Sequence, residues 1–133
     1  MGGTHMDFYH GWGILVTKTT IYEGKFSLGH KMGKGYMKFP NDSIYIGDFV
    51  NDKPHGQGLM QLADEYYIGD FDNGAMQGDG LWKNKKGEKY VGNWKTNKAH
   101  GYGIYCTEKS HYQGNKYFMV GEFSNFIKHG YGI

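Results

Sequence analysis

The chain has 133 residues, one domain's length, and its 23 glycines alternate with 12 tyrosines, 8 phenylalanines and 3 tryptophans, which excludes a disordered chain, since such chains lack aromatics. No apolar run approaches the ~20 residues of a membrane-spanning helix, and the single cysteine, Cys106, excludes an internal disulfide framework and fits a reducing compartment. The net charge of +2 implies no polyanionic partner, and all fifteen basic residues are lysine, so the bidentate arginine readers of phosphate and guanine are missing and nucleic acid is disfavoured.

In chain order, residues 1–5 (MGGTH) resemble an expression scar and are set aside. Residues 6–133 form one repeat array. A partial unit occupies 6–21 and contains the tail HGWG at 10–13. Full units then begin near Tyr22, Tyr45, Tyr67, Tyr90 and Met119, as in YIGDFVNDKPHGQG from 45 and YIGDFDNGAMQGDG from 67. With the first residue of each unit as position zero, glycine falls at position two and an aromatic at position four. A Gly-x-Gly pair falls at eleven and thirteen, as at Gly56 and Gly58. Alternation at zero, two and four places tyrosine, glycine and aromatic on one face of a strand. Positions six to ten hold turn residues, with Gly29, Asp52, Gly74 and Asn97 at position seven suited to a left-handed backbone. Phe126 breaks that series, so the last turn is expected to differ. A second strand is expected from each Gly-x-Gly through Tyr36, Leu59, Leu81 and Ile104, and Pro40–Ser43 and Asn84–Gly87 are expected turns between units. Glycine weakens a strand unless a ring lies across its bare backbone. The repeat therefore predicts a ring on a glycine gap in every hairpin. No window carries the three- and four-residue spacing of an amphipathic helix. The expected fold is all-β, an elongated single-layer antiparallel meander of stacked hairpins with ten or eleven strands, about 50 Å long at ~4.8 Å per strand.

Tyr-x-Gly-x-Phe/Trp, a turn, then His-Gly-x-Gly at a period near 23 resembles the MORN repeat (membrane occupation and recognition nexus), over residues 8–133. The match departs from the pattern at Met119 and in the longer stretch TEKSHYQGNKYF at 107–118. The resemblance implies a shallow groove lined by repeat aromatics and a binding or scaffolding role without catalysis. Similar arrays precede SET-type lysine methyltransferase or phosphatidylinositol-phosphate kinase domains, which makes a regulatory N-terminal segment of such an enzyme an alternative, or act alone as cytoskeletal scaffolds. The chain starts and stops in mid-repeat, so a longer parent is expected.

The candidate partner-binding residues are Tyr22, Phe26, Tyr45, Phe49, Tyr67, Phe71, Tyr90, Trp94 and Phe123. They fall on one face, and a single layer is expected to leave part of each ring accessible, as partner sites do. A protein or peptide is the expected partner. Anionic lipid is the alternative, nucleic acid is disfavoured, and the open sheet edges offer self-association. The expected location is the cytoplasm, at the cytoskeleton or a membrane. No cofactor, metal or catalytic residue is expected. The histidines at position ten, His10, His55, His100 and His129, lie roughly 10 Å from any equivalent one hairpin away, too far to share a zinc. GHKMGKGY at 29–36 lacks the Ser or Thr of a phosphate loop and any following helix. The acids at position three, Asp48, Asp70 and Glu122, read as a solvated face, and Cys106 as a packing residue. The cluster Lys83, Lys85, Lys86 and Lys89 reads as a solvated turn.

Overall fold

The structure, a computed structural model, describes residues 10–107 and 117–126. His129, the pair Gly130 and Gly132, residues 1–9 and residues 108–116 lie outside the described residues. Ten strands follow one another: β1 (Gly11–Val16), β2 (Ile21–Ser27), β3 (His30–Lys38), β4 (Ile44–Val50), β5 (Lys53–Gln61), β6 (Glu65–Asp72), β7 (Ala75–Asn84), β8 (Glu88–Lys95), β9 (Lys98–Thr107) and β10 (Tyr117–Phe123). They form one antiparallel sheet in strict chain order. Among the described residues each strand pairs only with its sequence neighbours, the one-dimensional stacking of a repeat protein.

Each of the four hairpins described in full turns on two residues, both with positive φ: Leu28–Gly29, Asn51–Asp52, Asn73–Gly74 and Thr96–Asn97. This is the tight turn whose twist matches the strands it joins. The turn is shorter than the expected positions six to ten. Positions eight to ten already belong to the outgoing strand, and eight and nine pair with the incoming one, as Lys53 with Val50 and Pro54 with Phe49. The sequence misleads there because asparagine, lysine and proline serve as well at the ends of a strand that contains a bulge. The bulge lies beyond: Asp48 alone on β4 stands opposite His55, Gly56 and Gln57 on β5, and the same shift recurs in the other hairpins. Bulges bend a strand and add twist. Gly56, with φ of 107°, sits at this bend, where a Cβ would come within 2.9 Å of the Asp48 carboxylate.

The turns also dock onto the preceding unit. The amide of position seven donates to the carbonyl of position nine one repeat back: Asp52 to Lys31, Gly74 to Pro54, Asn97 to Met76 and Phe126 to Ala99, at 2.8–3.1 Å. Phe126 therefore keeps the backbone contact of its series, with the positive φ carried by Asn125. Position ten supplies a second link. His55 Nδ1 accepts the Asn73 amide at 3.2 Å, Gln77 accepts that of Thr96 at 2.9 Å, and His10 accepts that of Leu28 at 3.4 Å. Histidine at this position connects hairpins at His10 and His55, whereas the buried Nδ1 of His100 has no hydrogen-bond partner among the described residues.

Candidate interaction surface

One glycine from each strand lines up across the whole sheet. Gly13, Gly24, Gly35, Gly47, Gly58, Gly69, Gly80, Gly92, Gly103 and Gly121 are successive cross-strand partners. The tyrosine at position zero lies over this seam. A Cβ on Gly58 would come within 2.3 Å of the Tyr45 hydroxyl, and one on Gly47 within 2.4 Å of the Gln57 carbonyl oxygen. Each phenol then donates to the carbonyl three residues on: Tyr22 to Lys25, Tyr45 to Asp48, Tyr67 to Asp70 and Tyr90 to Asn93, at 2.7–3.1 Å. A buried hydroxyl needs such a partner.

The nine rings nominated from the sequence come together as a single zigzag. Phe26, Tyr22, Phe49, Tyr45, Phe71, Tyr67, Trp94, Tyr90 and Phe123 meet in that order, edge to face, with centroids 5.0–5.4 Å apart. This geometry suits the ring quadrupole. The expectation of accessible rings is overturned: all nine are buried, with Tyr45, Tyr67 and Tyr90 at 0 % exposure. The physical reason is that ring edges cover ring faces along the row while two further rows close the sides. One holds Met37, Met60, Trp82 and Tyr105 at position fifteen, and the other Pro54, Met76 and Ala99 at position nine. Position fifteen escaped the sequence reading because Met, Trp and Tyr share no residue type; only the period of the repeat could have found it. Burial pushes the Tyr22 phenol up to about 12, and the Asp52 carboxylate adds to the shift. Burial raises Tyr45 and Tyr90 as well.

The opposite face is open. Its central row runs Ile14, Glu23, Tyr36, Ile46, Leu59, Ile68, Leu81, Val91, Ile104 and Val120, again one residue per strand in register. Ile46, Ile68, Val91 and Ile104 are 40–50 % exposed. The row is apolar throughout except at Glu23. On one flank stand Lys34, Asp48, Gln57, Asp70, Asp79 and Asn93. On the other stand Lys38, Ile44, Gln61, Tyr66, Lys83 and Lys89. The position-three residues have a second task that the reading as a solvated face missed. Asp48, Asp70 and Asn93 each accept an amide of the bulge, from Gln57, Asp79 and Tyr102, at 3.0–3.1 Å. The Lys34 ammonium, 2.5 Å away, holds the Asp48 carboxyl below its usual range. Among the described residues no three His, Cys, Asp or Glu side chains gather as a metal site would need. Cys106 is half-buried at the flank beside Lys89.

Stacked hairpins, a sealed aromatic spine and an open face of graded chemistry define a β-hairpin repeat array of the kind that presents surface. The family model described as MORN repeat matches residues 22–44, 45–65, 67–87 and 90–108. These segments cover more than half of the chain, which belongs to the MORN-repeat family. Such repeats are generally protein- or membrane-association repeats. A comparison with curated proteins finds no match.

Proposed function

We propose that the chain is a non-catalytic protein-interaction module whose contact surface is the open face. The observation that carries this reading is the unbroken row of apolar side chains from Tyr36 to Val120, bordered by polar rows. A contiguous exposed apolar strip with a polar rim is the composition of a partner site. The buried rings serve as the rigid floor that holds this strip in register. The lipid alternative has less support, because the acids Asp70, Asp79 and Glu122 share the face with the lysines Lys38, Lys83 and Lys89, so it offers an anionic bilayer no continuous basic patch. Catalysis has little support either: equivalent side chains stand on separate hairpins, so the repeat multiplies positions without converging them.

The test replaces Ile68, 50 % exposed at the middle of the row, by aspartate. Ile68→Asp is expected to keep the fold by near-ultraviolet circular dichroism and to lose partners captured from lysate. Asp72→Asn, at the rim of a turn, serves as the matched control and is expected to retain them. Capture that survives Ile68→Asp would remove the open face as the contact surface. Pelleting of the wild-type chain with phosphatidylserine vesicles at physiological salt would favour the lipid reading instead.

A further inference from the structure

We propose that one occupant of the open face is a second copy of this chain, related to the first by a two-fold axis running along the apolar row. This inference rests on the open face being the contact surface. Its further support is the charge on the two flanks. On β7 three successive outward residues are Asp79, Leu81 and Lys83, an acid, an apolar residue and a base. Beside them the acidic flank gathers Asp70, whose carboxylate accepts the Asp79 amide at 3.0 Å. The side-chain partners of these two carboxylates are neutral amides, Gln57 for Asp70 and Asn93 for Asp79. The basic flank places Lys83 directly across from Lys89, a like-charge pair that destabilises a sheet. Among the described residues, none of these four charges enters an ion pair. Lys34 with Asp48 and Lys38 with Asp42, from the same two flanks, are paired within the chain.

A two-fold axis along the row keeps each strand opposite its own counterpart and exchanges the flanks. The Asp70 and Asp79 side of one copy then meets the Lys83 and Lys89 side of the other, twice by symmetry. An axis across the row would set acid on acid and base on base. The four central charges thus favour this axis over one across the row, and the assembly is isologous and closed, with Glu23 on the axis set against its own counterpart and Lys34 of β3 against Lys38 of the other copy. Strands of the two sheets stay aligned, as in sandwiches that pack about 10 Å apart. Ten strands at about 4.8 Å and a width of about 13 Å across four residues give roughly 600 Å² per copy. Roughly 1,200 Å² in total is the lower end of specific interfaces. The expected dimer is therefore weak and reversible.

Sedimentation velocity from roughly 5 to roughly 500 µM tests this. The wild-type mass is expected to rise from 15.1 kDa toward twice that value. The double variants Asp70→Lys/Asp79→Lys and Lys83→Asp/Lys89→Asp are each expected to stay monomeric, because both flanks then carry one sign. An equimolar mixture of the two is expected to dimerise, because each reversed flank meets its complement. Should a variant misfold, the wild-type chain itself gives the answer. Carbodiimide coupling of mixed light and heavy nitrogen-labelled copies is expected to join Asp79 of one isotope to Lys83 of the other. A wild-type monomer across the range would overturn the proposal, as would dimerising single-flank variants or a mixture of folded variants that stays monomeric. If the chain stays monomeric while Ile68→Asp still abolishes partner capture, the second copy is excluded and the protein-interaction reading stands.

Discussion

At the scale of single residues, the ring and the glycine it covers act as one unit. Gly58 has no room for a Cβ, since the Tyr45 ring atoms would lie 2.3–2.4 Å away. Gly58→Ala must displace a ring that is packed on both sides by Phe49 and Phe71. The expected cost is at least the ~1–3 kcal/mol of an overpacked core, read as a lower urea midpoint. Gly11→Ala, where no atom lies within 4 Å, meets no such clash and is expected to cost less; it still carries the penalty of its positive φ. The phenols make a second prediction. The folded Tyr22 pKa, raised from 10.0 to about 12, means that the native state holds this proton more tightly than the unfolded chain. The associated stability is complete below pH 10 and is lost as pH rises through about 12. Tyr45 and Tyr90 act in the same direction. Urea midpoints are expected to fall steadily from about pH 10 upward, with a smaller fall in Tyr22→Phe. A midpoint that does not change across that interval would contradict the burial of these hydroxyls.

At the scale of the element, each hairpin is specified by its two-residue turn, and one turn is poorly filled. Thr96 is β-branched yet has φ of 46°, a region that disfavours branched side chains. Its amide, which donates to Gln77 Oε1 at 2.9 Å, belongs to the backbone and survives substitution. Thr96→Asn, with the residue type that stands at Asn51 and Asn73, is expected to stabilise the chain by roughly 1 kcal/mol. The check is a higher thermal midpoint with an unchanged near-ultraviolet spectrum. The turn positions were legible in the sequence because only a few residue types tolerate positive φ. The length of the turns was not legible. The bulge opposite Asp48 returns His55 and Gln57 to the sheet only through cross-strand hydrogen bonds, and no local pattern records those.

At the scale of the molecule, stability passes from neighbour to neighbour. Trp94 touches Tyr67 on one side and Tyr90 on the other, and its indole N–H donates to the Gly80 carbonyl at 3.1 Å. The sequence suggested a partly exposed ring; the structure has it 3 % exposed. Trp94→Ala is therefore expected to cost the ~3–5 kcal/mol of a full core truncation. Because strand pairing joins only successive strands and ring contacts reach only the next hairpin, hydrogen exchange is expected to quicken most in β6 to β9 and least in β2 and β3. A uniform rise along the chain would show that the array unfolds as one cooperative block.

The sequence by itself determined the strand face that carries the rings, the glycines they cover, the period of the array and its chain-order topology. All of these are local: side-chain alternation, positive φ and a repeat near 23 residues act within one hairpin. The tertiary structure decided which face is available to a partner. Tyr67 and Ile68 are adjacent and both apolar, and nothing in the local pattern ranks their exposure. Ring edges from its own and the next hairpin seal Tyr67, whereas Ile68 stays half exposed in the described sheet. Exposure depends on neighbours that lie about 23 residues away in the chain and about two strand spacings away in space, so it emerges only when the hairpins stack.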